Sequence, residues 1–435
     1  MTTEQRISFK GYLENDNITN DAAAIGKFLD YLADNGGIGE IESGTYTCNS
    51  YSRDSEKEPI KPFKLIGAGI GKTILKLSNK GSFLTWRNAT GIHIEGITLD
   101  CQYSQYSPEE IGNTRIHGFV LCNCNDCSIS HSKAIDFCGT GFMGYIDTKN
   151  KTDTETNPET DISTNINTDT LEPGEKYKGV FIKNCYAQAT QAFNDYMDLK
   201  NSNNSENAEE LKKKLRKKEC NGVLLSNYWY SGISDCTAED ISLFGIELKQ
   251  NARWNKVIDC KAINCQYGFG MGQQTGDKDI GCENNTVIGF KSIKCHHGGI
   301  IGKGKYNHII NMDIDFEGIS TNNLKNGFRL QLKSRFNTLF DIKINALKNR
   351  KPAVYYEKGA NNNYVVISNC TNTNGKLLVA EYTNTSYTSS NISSDTIDNI
   401  TRLCKSDSQN DNIIASDDLA RNKTHYDHSR TDIRS

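Results

Sequence analysis

The chain has 435 residues, of which 36% are hydrophobic and 24% charged, with a formal net charge of -3. That balance offers no basic footprint for DNA, RNA or an anionic membrane surface, and no run of about 18 apolar residues exists to span a bilayer. Abundant Gly (36) against scarce Pro (6) favours many short strands and turns over a helical bundle.

The opening Met1-Thr2-Thr3-Glu4-Gln5-Arg6 lacks the apolar core of a signal peptide, so the expected product is soluble and made in the cytosol. Fifteen Cys, an odd number without a secretory signal, predict free, buried thiols rather than a disulfide framework. The first element is an amphipathic helix from about Asn20 to Asp34, with Ile25, Phe28, Leu29 and Leu32 on one face. Asn20 is its expected N-cap and Gly36 its stop. Ahead of a strand-rich chain, its expected role is to cover the open end of a stacked core.

After the helix come Gly36-Gly37-Ile38-Gly39-Glu40-Ile41-Glu42-Ser43-Gly44-Thr45-Tyr46 and Lys64-Leu65-Ile66-Gly67-Ala68-Gly69. Here the sequence resembles the pectate-lyase-like parallel β-helix superfamily, whose first coil reads as a helix, Gly-Gly, a strand, Pro-x-Gly-x-Tyr and Leu-x-Gly-x-Gly. Glu42 stands where that pattern has Pro, and Gly39 where it has a β-branched residue. The resemblance implies an all-β fold, a right-handed single-stranded parallel β-helix with an N-terminal capping helix. Within the superfamily the chain is most similar to bacteriophage tailspikes and polysaccharide depolymerases. Gly67-Ala-Gly-Ile-Gly-Lys-Thr73 mimics a phosphate-binding loop but has three residues, not four, before Gly-Lys-Thr. No nucleotide is assigned.

Internal repetition carries the rest. A small residue followed by apolar, any, apolar starts at Gly118, Gly141, Gly179, Gly222, Gly245, Gly268, Gly298, Gly327 and Ala353. Two overlong steps contain insertions: a polar segment at about 147–177, with too little apolar content to pack, and a charged helix at about 200–220. Strand alternation predicts two inward columns. They are Phe119, Phe142, Val180, Val223, Ile246, Phe269, Gly299, Phe328, Val354, and Leu121, Gly144, Ile182, Leu225, Leu248, Met271, Ile301, Leu330, Tyr356. Asn255, Asn285, Asn307, Asn337 and Asn363 recur once per coil, as residues of stacked turns. The expected organisation is a cap and first coil (1–60), a β-helix (61–375) and a polar C-terminal segment (376–435), which is a tail or an interface.

The group Cys122, Cys124 and Cys127, with His117, His131 and Cys138 nearby, has zinc-ligand types. Cys recurs in the same phrase elsewhere, at Cys260, Cys265 and Cys295, so packing is preferred and neither metal nor cofactor is assigned. The outward columns are the expected ligand surface, with Glu247 and Arg329 facing solvent and Gly270, Gly272 and Gly302 forming a shallow floor. Glycosidic hydrolysis needs two carboxyl groups at roughly 5–9.5 Å, and Glu247 with Asp277 or Asp279 is the preferred pair. Lys249, Arg329 and Gln331 border the floor as substrate-binding candidates, and Trp229, Tyr267 and Trp254 are candidates for stacking on sugars. Lys249 or Arg329 becomes base or charge stabiliser if the reaction is elimination. His296 and His297 are read as turn residues rather than an acid–base pair.

The resemblance implies a tailspike-type receptor-binding protein that cleaves capsule or O-antigen, acts outside the cell as a virion component, and assembles as a homotrimer, with another virion protein as a further partner. Alternatives are a non-catalytic glycan-binding β-helix and a bacterial polysaccharide lyase.

Overall fold

The structure is a computed structural model. It describes residues 5–15, 22–112, 114–147, 177–201, 211, 214–215, 218–272, 281–320, 324–331, 333–347, 352–357, 360, 362–372, 379–381, 400–403 and 424–426. The chain divides into two compact units, Met1–Leu243 and Phe244–Ser435. Among the described residues every strand pairing is parallel; the earlier coils contribute two short strands to one sheet and one strand to a second, and from His308–Asp315 onward the two short strands merge into one long strand. Short crossovers between parallel strands wind right-handed.

In the first unit the helix runs over Ala24–Asn35 and buries Ala24, Ile25, Phe28, Leu29, Leu32 and Ala33. Gly36 stops it with φ 75°, its N–H bonded to Leu32 O, a conformation that suits glycine. The helix starts later than expected: Ala23 is the N-cap, without a side-chain bond, and Asn20 lies outside the described residues. The unexpected Gly39 has a steric cause, because a Cβ there would sit 2.4 Å from Leu32. Glycine lets the strand Gly37–Ile41 pass directly under the helix. The apparent phosphate loop is a coil corner, in which the buried Thr73 hydroxyl donates to Ile41 O and accepts from Ala68 N–H.

The second sheet of this unit contains Tyr51–Asp54, Leu84–Arg87, Phe119–Cys122, Thr140–Tyr145 and Asn221–Ser226. Phe119 and Phe142 stack at 5.1 Å inside the coil, and Val223 continues their column. Each such side chain contributes about 1.5–3 kcal/mol by leaving water. One member of the expected column is misplaced: Val180–Lys183 pairs with Cys127–Ser130 and Gly232–Ser234, in the other sheet. Val180 and Ile182 do face inward there, while Phe181 is exposed. Gly141 and Gly222, which are 222 − 141 = 81 positions apart, therefore bound a single long coil. It carries both insertions; residues 148–176 and most of 202–217 lie outside the described residues, and the described helix is Thr190–Asn201.

In the second unit the second sheet contains Phe244–Lys249, Tyr267–Gly272, His297–Gly302, Asn326–Gln331 and Val354–Tyr356. Ile246, Phe269, Gly299, Phe328 and Val354 align inside, as do Leu248, Met271, Ile301, Leu330 and Tyr356. At one corner the five repeated asparagines form a buried ladder. The side-chain amide nitrogens of Asn255, Asn285, Asn307 and Asn337 each donate to the amide oxygen of the next, at 2.9–3.1 Å. Those oxygens also accept the preceding asparagine's backbone N–H. Buried amides left unpaired would each cost about 1–3 kcal/mol; here the stack satisfies itself.

All fourteen described cysteines are free and buried. Cys260 shares an inward position with Phe290, Met312 and Ile342, each following a corner residue aligned coil to coil. Thiol and hydrocarbon are interchangeable in that column.

Candidate functional site

In the second unit, the outer face of the second sheet gathers titratable and hydrogen-bonding groups. Strand register sets Glu247, Gly270, Ile300, Arg329 and Tyr355 in one column. Phe244, Tyr267, His297 and Asn326, one per coil, form a second. Gly272, Gly302 and Gln331 belong to a third.

Glu247 points away from the core, because Ile246 and Leu248 fill the inside. Its expected exposure is nevertheless wrong: only 2% of it is accessible. Burial of this column is general, since Ile300 and Tyr355 are also buried, so an outward direction and contact with solvent are separate properties on this sheet. The open glycine floor is also corrected. A Cβ on Gly270 would lie 2.4 Å from the Phe244 ring, so glycine there admits an aromatic ring. At Gly272, with φ 94°, a Cβ would meet Gly302 O, and glycine permits close approach of two backbones.

Beside Glu247, the rings of Phe244 and Tyr267 stack at 4.8 Å and those of Tyr267 and His297 at 4.3 Å. His297 is buried, and its Nδ1 lies 2.7 Å from Asn326 Oδ1. An amide oxygen accepts, so the proton sits on Nδ1 and the neutral ring's basic lone pair on Nε2. Sequence reasoning set His297 aside as a turn residue, yet it opens the strand His297–Gly302. The signal was present: Phe244, Tyr267, His297 and Asn326 each precede the repeat's glycine.

Arg329 pairs with Glu357 and lies 5.5 Å above the Tyr355 ring. Gln331 donates to the same Glu357 carboxylate at 3.1 Å. Three coil steps separate Glu247 from Arg329, about 14 Å at the usual strand spacing. The face is thus a track with a carboxylate and an imidazole near one end and a guanidinium–carboxylate pair near the other. Lys249, half-buried on Glu247's strand, belongs to it, as does Tyr267. Trp254 does not; it sits exposed at the asparagine-ladder corner. Trp229 lies in the first unit, buried on a turn after Asn221–Ser226. Asp277 and Asp279 lie outside the described residues. Among the described residues of this face the other carboxylate is Glu357, four coil steps from Glu247 and so about 19 Å away, too far to pair with it in hydrolysis.

No protein-family model matches the chain, and no curated protein sequence does. Solved structures match at 12% identity. The A-module of mannuronan C-5 epimerase AlgE6 from Azotobacter vinelandii aligns over 91% of this chain and 93% of its own, with a TM-score of 0.59. The AlgE4 A-module from the same organism aligns over 93% and 95%, with a TM-score of 0.56. Gene product 12 of bacteriophage phi29, in its pre-mature form, aligns over 92% of this chain with a TM-score of 0.57, and this chain spans about half of it, 52%. The fold is the right-handed parallel β-helix. The coil interior is packed with buried side chains, which leaves the outer surfaces of the coils to meet a ligand.

Proposed function

We propose that this β-helix binds and cleaves a bacterial surface polysaccharide, capsule or O-antigen, on the outer face around Glu247, as a tailspike-type receptor-binding protein of a bacteriophage. The observation that carries the reading is Glu247 itself: a carboxylate turned out of the core yet almost fully buried, in line with Tyr267, His297 and Arg329 on a face several coils long. A carboxyl group held on this face is the residue type that a general acid for a glycosidic oxygen requires. Hydrolysis takes its second carboxyl group from Asp277 or Asp279, whose segment 273–280 follows Gly272. Lys249, Arg329 and Gln331 bind the sugar chain; Tyr267, whose two ring faces are taken by Phe244 and His297, does not stack on it as the sequence suggested. The fold supports the reading, since two of the similar structures are epimerases of mannuronan and a third is a phage protein. A homotrimer attached to another virion protein is the matching assembly.

Elimination at a uronic acid is the second reading, and His297 favours it. An imidazole is the side-chain type that abstracts a proton near neutral pH, and His297, bonded through Nδ1 to Asn326, is the described one in the second column of this face.

Incubation with a panel of capsules and lipopolysaccharides, followed by mass spectrometry of released fragments, tests both. Saturated fragments mark hydrolysis, and unsaturated fragments absorbing in the near ultraviolet mark elimination. Retention of a glycan without any fragment would make the protein a non-catalytic binder.

A further inference from the structure

The corner before each ladder asparagine has a composition that the fold does not explain. Of the twenty-five described non-glycine residues with positive φ, fourteen are Asn or Asp, the side chains that tolerate this region best. Four are Tyr, Trp or Phe: Tyr230, Trp254, Tyr306 and Phe336, with φ between 50° and 56°. All four occupy the same corner, immediately before Ser231, Asn255, Asn307 and Asn337. Bulky rings are poorly suited to that backbone, and these stay exposed, so burial in the core does not account for them. In the same unit the equivalent corners of two other coils take Asn284 and Asn362, the locally favoured choice. Residues that break a local rule without a packing gain mark functional positions.

The second unit carries three of the four. Trp254, Asn284, Tyr306 and Phe336 follow Arg253, Glu283, Lys305 and Arg335, which are bridged coil to coil. Tyr306 and Phe336 stack at 5.2 Å with an interplanar angle of 5°. Trp254 and Tyr306 stand two coils apart, about 10 Å, with the short Asn284 between them. That is room for one sugar ring with a van der Waals layer on each face. Among the described residues the charge beside the rings is unequal: Arg253, Glu283, Lys305 and Arg335 are in register, with Lys256 on the next strand, so cations outnumber the carboxylate. Glu283 is shared by Arg253 at 3.5 Å and Lys305 at 3.9 Å. Ile288, Ile310 and Phe340, also exposed, extend the apolar surface along the adjoining strands.

We propose that this corner is a second polysaccharide-binding track, separate from the face around Glu247, and that its ligand is an anionic glycan. Aromatic rings contact the apolar faces of sugars, and the excess of cations selects acidic residues in the polymer. The track holds the polymer whether or not the Glu247 face cleaves it.

The test uses the full chain, with polygalacturonate as probe and dextran as the uncharged control, in affinity electrophoresis. Trp254 reports directly: it is 37% accessible, whereas Trp86 and Trp229 are 0% and 7%, so acrylamide quenching of tryptophan fluorescence reads Trp254. Wild type should be retarded by polygalacturonate and not by dextran, and the polymer should protect Trp254 from acrylamide. The triple variant Trp254→Asn, Tyr306→Asn, Phe336→Asn places at each corner the residue already found at Asn284. It should melt no lower than wild type, and its retardation should fall about tenfold or more. Phe181→Asn, which removes an exposed ring outside both the corner and the face around Glu247, should be retarded as strongly as wild type. Unchanged retardation of the triple variant, equal binding of dextran, or a large fall in its melting temperature would overturn the proposal. So would sedimentation showing that the wild type self-associates through this corner while the polymer fails to protect Trp254.

Discussion

The outer face of the second sheet is built twice with opposite chemistry. In the first unit its column reads Val120, Met143 and Leu224, a buried apolar cluster with Tyr145 packed against it. In the second unit the corresponding column reads Glu247, Gly270, Ile300 and Arg329. Both columns are directed away from the core, and both are largely buried. Burial on this face therefore does not distinguish a structural position from a functional one; residue chemistry does. A hydrophobic outward column gains stability from being covered, whereas covering a carboxylate carries a desolvation cost that its partners must offset, and so points to use.

Four measurements sharpen or break that contrast. Replacing Glu247 by Gln should lower glycan cleavage by about 10²–10⁴-fold without lowering the melting temperature; cleavage at the wild-type rate would move the chemistry elsewhere. The next largest effect lies in the ladder. Asn307 donates to Cys282 O and Asn337 Oδ1 and accepts two bonds from Asn285, so Asn307→Ala should cost about 3 kcal/mol or more in urea unfolding. Met143→Ala should cost about 2–5 kcal/mol although the residue is outward, and a loss below about 0.5 kcal/mol would show a solvent-facing surface position.

The smallest effect is a pH slope. His117 accepts the Thr140 N–H at Nδ1, and burial first, then the Arg115 charge, depress its pKa from 6.5 to about 3. The folded value lies below the unfolded one, so the unfolded chain takes up the proton first, and stability falls as pH drops from 6.5 toward 3. His117→Asn should flatten that part of the stability curve, read from unfolding midpoints at several pH values.

The coils were legible because one register error exchanges inside for outside. A phrase repeated every 23–30 residues in most steps therefore identified Phe142, Ile246, Leu248 and Phe328 as core. The asparagine ladder was legible for the same reason. Val180 misled, since its local phrase is identical and only pairing with Cys127–Ser130 assigns it to the other sheet. Glu247 was located on the correct side, but alternation reports direction and not cover. The sequence reading tied the fold to a solvent-exposed Glu247; the structure keeps the fold and buries the residue. His297 was read as a turn residue because it precedes Gly298, from which the repeat was phased, whereas the strand starts at His297 itself.

The thiol columns have a consequence for where the protein works. Every described cysteine is shielded by the coils above and below, so Ellman's reagent should find almost no reactive sulfur until denaturant is added. Once wound, the stack becomes indifferent to oxidants without a single crosslink, whereas the unwound chain offers its sulfurs to mispairing. Winding before oxidation is thus the order of events that this architecture rewards.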